Sequence, residues 1–467
     1  MRKHTPGSLI LIAGVAMSLW RYAAADITAF VNATLIDGTG QSAQIESTVL
    51  IQNDVIIGVG TNLAIPKLAN IHDASGKWIV PGLIDAHAHF FESGRIYTKP
   101  GTIDLTHLVP YPEEVAWMRA RVPTTLRSYL CAGVTGTLSA GGPRFEFDVR
   151  SQARTMPDAP SVFVAHGVVT QIPSDHMFPR FDGDTPLRTI HDPTSARAAI
   201  DQGADWQADL IKTGYIGGNL AAVEKDLIAL HGPIVEAARG HGLPVTTHVT
   251  ELEAARALVE SGVDSLQHVP MDTLIDDAFI ALLKSRGVIV VPTLAVFPRT
   301  FVELYTKSIQ LEEIETRCGD PQVIRTWTEI DDLPTVPSDT LEQFKAGVVL
   351  ATRNTRRLYD AGVPLAAGSD AGNPGLVHGA SLHYELKLLA SMGMSPLDVI
   401  QAATLHSAMV TGQSAQYGTV EVGKKADFLV LNSNPLTDIR NLADIHNIIR
   451  HGIQFSQDEL ATKVHMK

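Results

Sequence analysis

Between about residue 82 and residue 412, short apolar runs alternate with segments whose apolar residues recur every three or four positions. The short runs read as strands, among them SVFVAHGVV, DLIKTGY, LPVTTHV, DSLQHV, VIVVPTL and VPLAAGSD. The segments between them often end on glycine, which is typical of a helix C-terminus. Strand–helix alternation of this kind indicates a parallel sheet. With LIDAHAHF and GVTGTLSAG the pattern contains eight strands, which predicts a closed (β/α)8 TIM barrel over residues 81–415.

The two ends of the chain share a different pattern. Residues 26–80 contain β-like runs such as ITAFVNATLIDG and STVLIQNDVIIGVG, and residues 416–467 repeat it in KADFLVLNSNPL and IHNIIRHGIQF. Because the two ends of the chain share a β-like pattern that the middle lacks, the sequence predicts one small β module built from both termini. Residues 301–340 are interpreted as an insertion after the seventh strand, over the C-terminal face of the barrel, and are a candidate lid.

The first 25 residues have the composition of a secretory signal peptide. Arg2 and Lys3 precede an apolar stretch at positions 9–20, and small residues follow at Ala23 and Ala25. A membrane anchor is the alternative, but this apolar stretch is short for a bilayer span. We therefore expect cleavage after Ala25 and a periplasmic or secreted protein with no membrane association afterwards.

Composition narrows the classes of partner. Hydrophobic residues make up 45% and charged residues 19% of the chain, as in an ordinary globular protein. A formal net charge of −13 and the absence of Lys/Arg runs argue against a nucleic-acid partner and leave a small-molecule substrate. The sequence leaves assembly into a homo-oligomer open. Cys131 and Cys318 are the only cysteines, and we expect two buried thiols, with a disulfide as the alternative.

Residues of metal-binding type occur at or near the ends of the predicted strands. The two histidines of the first strand are two positions apart and therefore share a face. Any one of these residues alone has an ordinary structural explanation, such as a hydrogen-bonded core histidine. Because the ends of barrel strands meet at one mouth, the set together predicts a catalytic site for a divalent metal such as zinc. Its members are His87, His89, Lys212, His248, His268 and Asp370.

The chain resembles the amidohydrolase superfamily, in the branch of imidazolonepropionase-like and prolidase-like metal hydrolases. The stretches that carry the resemblance include VPGLIDAHAHF, DLIKTGY, GHGLPVTTHVTELEAARALVESGVDSLQHVP, VPLAAGSDAGNPGLVHGASLHYELKLL and YGTVEVGKKADFLVLNSNPLTDI. They extend from about residue 28 to residue 453, nearly the whole chain after the predicted signal. The resemblance implies a barrel accompanied by a composite β-sandwich that both termini form.

The resemblance also implies a role for each ligand. His87 and His89 would bind the more buried of two Zn²⁺ ions, and His248 and His268 the more exposed one. Asp370 would bind metal and act as the general base.

Lys212 would carry a carboxylate formed from CO2 and bridge the two metals. A lysine enclosed beside cations loses its proton easily, which suits that reaction. Glu251 leaves a one-metal site open, because a glutamate three residues after His248 resembles the proton shuttle of single-metal members. In that case Lys212 would be an unmodified substrate-binding residue.

Further candidates for substrate binding are weaker. For each of these candidates, an ordinary structural role in the core, in packing or in a loop is a competing explanation. The same holds for Arg144 and Arg180, which are possible anchors of an anionic substrate. The candidates are His166, His176, Tyr215, Glu251 and His378.

The implied function is hydrolysis of a C–N bond in an amide, peptide, cyclic amide or urea-type small molecule by a metal-activated hydroxide. Asp370 would accept a proton from the attacking water and deliver it to the leaving nitrogen. Two other reactions suit the same residues: deamination of a heterocycle, which Glu251 favours, and hydrolysis of a lactone, ester or phosphotriester. The complete set of ligands argues against a non-catalytic barrel kept for binding or assembly.

Overall fold

The structure is a computed structural model that describes residues 27–173, 179–181, 183–217, 221–329, 333–334 and 336–466. The interpreted signal peptide, residues 1–25, lies outside the described residues. In the part of the chain that is described, no helix has the length and apolar character needed to cross a membrane.

The described strands are β1 (Ile27–Leu35), β2 (Gln44–Gln52), β3 (Val55–Thr61), β4 (Asn70–Asp73), β5 (Trp78–Pro81), β6 (Leu83–Ala88), β7 (Val134–Ser139), β8 (Ser161–Val164), β9 (Val168–Thr170), β10 (Leu187–Thr189), β11 (Ile211–Gly214), β12 (Val245–His248), β13 (Ser265–Gln267), β14 (Ile289–Val291), β15 (Phe428–Leu431), β16 (Ile445–Arg450) and β17 (Ile453–Phe455). The described α-helices are α1 (Tyr111–Cys131), α2 (Phe145–Ala153), α3 (Pro193–Asp205), α4 (Leu227–Gly240), α5 (Leu252–Ser261), α6 (Asp277–Arg286), α7 (Val296–Pro298), α8 (Leu304–Thr306), α9 (Glu313–Cys318), α10 (Pro321–Ile324), α11 (Thr326–Glu329), α12 (Ser338–Asp360), α13 (Ser381–Ser391), α14 (Pro396–Gln401), α15 (Ser407–Val410) and α16 (Gln457–His465). A π-helical turn (Arg299–Glu303) joins α7 to α8, another (Ala402–His406) joins α14 to α15, and a 3-10 helix covers Ile439–Ala443.

One large sheet contains strands from both ends of the chain. Its order is β17-β16-β15-β5-β1-β2-β3, and β4 pairs with β1. The two ends meet where β15 runs antiparallel to β5, with Leu429 opposite Val80. Phe30, Ile79 and Phe428 are buried in an apolar core that belongs to this sheet. The terminal segments thus share a sheet, as their similar sequence pattern indicated.

The middle of the chain forms parallel strands in two groups, β6-β7-β8 and β10-β9-β11-β12-β13-β14. Every position of β6, β7 and β11 is buried, as expected of parallel strands that are covered on both faces. The third predicted strand is divided into β8 and β9. Between them, the His166 amide donates a hydrogen bond to Leu210 O beside β11 (3.2 Å), which bridges the two groups.

The predicted eighth strand, VPLAAGSD, forms backbone hydrogen bonds on both sides without becoming a regular strand. Val290 N in β14 donates to Pro364 O (3.1 Å), and Asp370 N donates to His87 O in β6 (2.7 Å). The amide of Ala367 instead donates to Ala402 O at the end of α14 (3.0 Å), which interrupts the ladder. We call residues 364–371 the eighth segment.

The predicted insertion contains short helices, and its last residues begin α12. A fully buried ion pair between Arg299 Nη2 and Glu315 Oε2 (3.0 Å) ties the start of this region to α9. Ser381 at the start of α13 donates a hydrogen bond to Glu315 Oε1 (2.5 Å). The region is therefore anchored to the neighbouring helices by buried polar contacts.

The expectation of two unpaired thiols is wrong, because Cys131 and Cys318 form a disulfide. Cys131 is the last residue of α1 and Cys318 the last residue of α9, and their Cα atoms are 5.5 Å apart. A separation of 187 positions along the chain carries no signal of this proximity, which arises only when the two helices pack together.

Candidate metal centre

The predicted ligands occupy the C-terminal ends of neighbouring parallel strands or lie close to them. This common edge follows from the parallel arrangement, which places the carboxyl ends of all the strands on one side. In chain order they are His87 in β6, His89 directly after it, Lys212 in β11, His248 at the end of β12, His268 directly after β13, and Asp370 in the eighth segment.

The first two histidines converge on Asp370. Nε2 of His87 lies 3.4 Å from Asp370 Oδ1, and Nε2 of His89 lies 3.5 Å from the same oxygen. The ring centroid of His268 lies 5.0 Å from that of His87 and 4.4 Å from that of His248. The second pair of histidines therefore borders the first.

Hydrogen bonds to Nδ1 orient two of the rings. His89 Nδ1 donates to the carbonyl of Gly141 (2.9 Å), which leaves Nε2 unprotonated in the neutral ring. His268 Nδ1 pairs with Thr293 Oγ1 (2.5 Å), and the Thr293 hydroxyl donates to Pro292 O (2.8 Å). Since the hydroxyl proton is used on Pro292, Thr293 accepts from His268. Both rings thus present Nε2 as a lone-pair donor.

Burial keeps the imidazoles neutral. It lowers the pKa of His87 and of His89 well below the usual value, and the charge of Lys212 adds to that effect. Burial likewise lowers the pKa of His248 to about 3. A neutral imidazole is the form that binds a metal ion.

The two remaining predicted ligands also have shifted acidities. Burial lowers the pKa of Lys212, and the negative charge of Asp370 opposes the shift. Burial raises the pKa of Asp370, and the nearby Lys99 opposes this change. Desolvation thus disfavours the charged form of both groups in the metal-free protein.

The donor set fits a divalent metal ion. One ligand atom from each of His87, His268 and Asp370 lies within 4.8 Å of the other two. Among the described residues, Asp370 Oδ1, the oxygen that His87 and His89 approach, is a buried side-chain atom without a hydrogen-bond partner. Buried polar atoms are normally paired, and imidazole with carboxylate is a ligand set that zinc accepts.

Three residues at this edge have positive φ although none is glycine. The angles are 72° at His268, 49° at Thr293 and 57° at Asp370. Such a conformation is uncommon for any residue with a Cβ and a clear outlier for a β-branched threonine. Strain of this kind concentrates at functional sites, where the surrounding structure holds it in place.

Asp85 is a site residue that the sequence reasoning missed. Its Oδ1 accepts hydrogen bonds from the amides of His87 (3.2 Å) and Ser369 (2.9 Å), and its Oδ2 accepts one from Ser369 Oγ (2.5 Å). The carboxylate thus joins β6 to the eighth segment beneath the histidines. Asp85 precedes His87 by two positions, so the same alternation that pairs His87 with His89 was a signal for it.

A lysine beside the site was missed as well. Lys99 Nζ donates to Asn373 Oδ1 (2.7 Å) and pairs with Glu92 Oε1 (3.2 Å). The sequence offered no signal for this, because Lys99 follows the first strand in an irregular segment.

The ligands line a cavity of about 170 Å³. The six predicted ligands and the Glu92–Lys99–Asn373 group provide its polar surface. Much of the remaining lining is apolar and comes from Phe91, Val168, Pro186, Leu187, Ile216, Val296, Phe297 and Phe301.

Two of the weaker candidates form hydrogen bonds with the backbone of predicted ligands. His378 donates from Nε2 to His89 O (3.0 Å) and so supports the end of β6. Tyr215 follows β11 and is held by a backbone bond from its amide to His248 O (3.0 Å). Neither belongs to the described lining of the cavity.

The other weaker candidates lie elsewhere. His166 packs against Trp206 and pairs with Gln202 Oε1 (3.2 Å). The Glu251 carboxylate lies against Gly217, where φ is 69° and the missing Cβ leaves room for it. His176 lies outside the described residues.

The two proposed arginine anchors also lie outside the described lining. The Arg144 guanidinium lies 5.4 Å from the ring centroid of Trp206. Arg180 donates to Gly183 O (3.0 Å).

Comparison with known proteins gives one family match and many relatives. A model of the amidohydrolase family matches residues 78–453. Ochratoxinase from Aspergillus niger is 24% identical over 444 residues, which cover 89% of this chain and 83% of that protein. Imidazolonepropionase from Geobacillus kaustophilus is 24% identical over 417 residues, 82% of this chain and 83% of that protein.

Solved structures show the same fold. A crystal structure of a Xaa-Pro dipeptidase with methionine bound in its active site superposes with a TM-score of 0.70. The aligned region covers 92% of this chain and all of that one, at 22% sequence identity. At this identity the likeness establishes the fold and not the substrate.

Proposed function

The chain belongs to the amidohydrolase family of enzymes, and from that premise we propose that it hydrolyses a C–N bond in a small molecule with the help of bound divalent metal. The substrate bond is an amide, peptide, cyclic amide or urea-type bond. The observation that carries this proposal is the convergence of two neutral, largely buried imidazoles, His87 and His89, on Asp370 at the wall of one cavity.

We infer that the parallel strands close into a (β/α)8 barrel over residues 81–415. Support comes from the eighth segment, whose backbone bonds to β14 on one side and to β6 on the other. The bond from His166 N to Leu210 O supports the same closure on the opposite side. Residues 26–80 and 416–467 would then form the composite β-sandwich beside it.

We assign the metal ligands by position. His87, His89 and Asp370 would hold one Zn²⁺, and His248 and His268 a second. A ligand atom of His268 also lies within 4.8 Å of ligand atoms of His87 and Asp370, so the two groups of ligands adjoin each other. Lys212, once carboxylated, would bridge the two, and its burial among these ligands supports that role. Bound zinc supplies Lewis acidity, which lowers the pKa of water and polarises a carbonyl.

The protein's own groups perform the proton transfers. Asp370 would accept the proton of the attacking water at a carboxylate oxygen and deliver it to the nitrogen as the C–N bond breaks. The bond between the Asp370 amide and His87 O holds its backbone against β6. Much of the cavity lining is apolar, and electrostatic interactions are stronger beside an apolar surface than in bulk water.

The placement of Glu251 bears on the alternatives. A deaminase or a one-metal hydrolase would use it as a proton shuttle beside the metal. Its carboxylate instead lies against Gly217 and is outside the described lining of the cavity. This observation favours Asp370 as the group that transfers the proton.

The test is a hydrolysis screen of chelator-treated and zinc-reloaded enzyme with dipeptides, N-acyl amino acids, aryl ureas, heterocycles and lactones. We expect the enzyme to hydrolyse an amide-type substrate. The chelator should abolish this activity, zinc should restore it, and the His89→Asn variant should lack it. Turnover of lactones alone, or activity that survives metal removal, would contradict the proposal.

Metal analysis separates the two-metal site from the one-metal site. Lys212→Arg keeps the positive charge but cannot take up CO2, so we expect it to bind one zinc where the parent binds two. Labelled bicarbonate should give a carbamate signal in the parent protein alone. One zinc per chain and no carbamate in the parent would contradict the bridged site.

We also propose that the protein is exported to the periplasm or secreted. The Cys131–Cys318 disulfide supports this, since disulfides persist mainly in oxidising compartments. N-terminal sequencing of protein from the native host should begin at Asp26. A retained Met1 in that material would contradict cleavage.

A further inference from the structure

One wall of the metal cavity is aromatic. Phe297 in α7 and Phe301 on the π-helical turn after it both follow β14, and both line the cavity together with the predicted ligands. The Phe297 ring packs edge-on against His268, with centroids 5.5 Å apart and planes at 70°. A substrate group that reaches His268 therefore also reaches Phe297.

The aromatic wall is built as a stack. The rings of Phe297 and Phe301 lie 6.2 Å apart with planes at 26°, and Phe301 stacks on Phe344 of α12 at 4.9 Å and 19°. Offset stacks of this kind are a preferred arrangement of aromatic side chains. The faces of the first two rings are consequently held in one direction beside the ligands.

The segment that carries these rings is anchored from below. Arg299, between them, is fully buried and paired with Glu315 (3.0 Å). Thr300 Oγ1 donates to Pro374 O (2.8 Å), which ties the same turn to the segment after Asp370. Because buried polar bonds already fix this wall, substrate binding requires little further ordering of its side chains.

Aliphatic side chains line the same cavity. They include Val168 of β9 and Leu187 of β10. The polar side chains at the edge, Glu92, Lys99 and Asn373, are bonded to one another. The cavity that the ligands line thus has both aromatic and aliphatic surface.

We propose that this cavity is a subsite for an aromatic ring, or a similarly flat apolar group, bonded directly to the scissile amide. The inference rests on the proposed C–N hydrolysis and narrows its substrate class. Because the ligands and Phe297 share the space, the ring must be adjacent to the reacting carbon or nitrogen.

The kinetic test compares matched amides that differ by one ring. Zinc-loaded enzyme is assayed with N-benzoyl and N-acetyl forms of the same amino acid, and with the anilide and methylamide of the same acid. We expect kcat/KM to favour one aryl member of these pairs by about tenfold or more, the range that apolar groups give in a fitted site. Phe301→Leu should lower kcat/KM for the aryl member more than for its non-aryl partner, and so remove most of that preference.

Phe147→Leu is the matched control, because Phe147 also packs on an aromatic ring (Trp206, 5.6 Å) but lies on α2, outside the described lining of the cavity. It should keep the preference. Amide hydrolysis with equal rates for both members of each pair, or a preference that Phe301→Leu leaves intact, would overturn the subsite.

A binding experiment separates failure of the subsite from failure of the proposed reaction. Calorimetry of the zinc-loaded protein compares benzoate with acetate, which share the carboxylate and differ in the ring. Tighter benzoate binding that Phe301→Leu weakens would support the subsite even if no amide is hydrolysed. Equal affinities would overturn the subsite whether or not hydrolysis occurs.

Discussion

Thr293 allows a sharp test of how the site is organised. Its hydroxyl accepts a hydrogen bond from His268 Nδ1 (2.5 Å) and donates one to Pro292 O (2.8 Å). Thr293→Val keeps the branched shape of the side chain, and with it the strain of a φ of 49°, but removes both bonds. The substitution therefore isolates the orienting contact from side-chain packing.

The expected loss follows from the geometry. Without its acceptor, His268 can turn its ring or carry the proton on the nitrogen that should bind metal. Removing such a partner typically weakens metal binding by about 10- to 100-fold. At about 1.4 kcal/mol for each factor of ten, this corresponds to roughly 1.4–2.8 kcal/mol of metal-binding free energy. Thr293→Ser keeps the hydroxyl and should retain most of the affinity.

Affinity is measured on apoprotein by competition with a chromophoric zinc chelator, and folding is checked by the thermal midpoint of the apo forms. We expect the Thr293→Val variant to bind zinc more weakly than the Thr293→Ser variant, and the two apoproteins to have similar thermal midpoints. Equal zinc affinity of the valine variant and the parent would refute the orienting role of Thr293.

Three further predictions concern other parts of the molecule. Asp370→Asn should lower kcat by about 10²- to 10⁴-fold, the usual contribution of a proton-transfer group, with an unchanged circular dichroism spectrum; substantial residual hydrolysis would contradict its role. Cys131→Ser should lower the free energy of unfolding by about 2–4 kcal/mol in denaturant titrations under non-reducing conditions, because the disulfide closes a long loop; Cys318→Ser should give the same loss, and an unchanged midpoint for both would contradict the bond. Burial raises the pKa of Glu146 to about 8, so the contribution of Glu146 to the free energy of unfolding is complete below the unfolded-state pKa and is lost as pH rises through 8. The stability of apo Glu146→Gln relative to the parent should therefore increase between pH 5 and pH 8. A difference in thermal midpoint that stays constant over this range would contradict the prediction.

Local patterns in the sequence predicted most of the polar side chains that line the cavity. Alternation along LIDAHAHF placed His87 and His89 on one face of β6, and strand ends elsewhere marked His248 and His268. Asp370 was found in the same way, although its segment is not a regular strand. These side chains lie together in the structure because parallel strands collect their carboxyl ends at one edge whatever the details of packing.

Contacts between distant segments were not predictable in this way. Asp85 had a local signal in its spacing from His87, but its partner Ser369 lies 284 positions away. The bond between His268 and Thr293 and the stack of Phe301 on Phe344 likewise join separate elements. Hydrophobic periodicity reports which face of an element is buried and not which side chain it will meet.

By itself, the sequence determined which residues face the mouth of the parallel strands, because that depends on strand direction and on the alternation of side chains. Only the tertiary structure decided that Cys131 meets Cys318, that Thr293 orients His268, and that Phe297 and Phe301 form the wall of the cavity. Each of these depends on the approach of segments far apart in the chain. Such an approach is set by the packing of the whole molecule, and no short stretch of sequence encodes it.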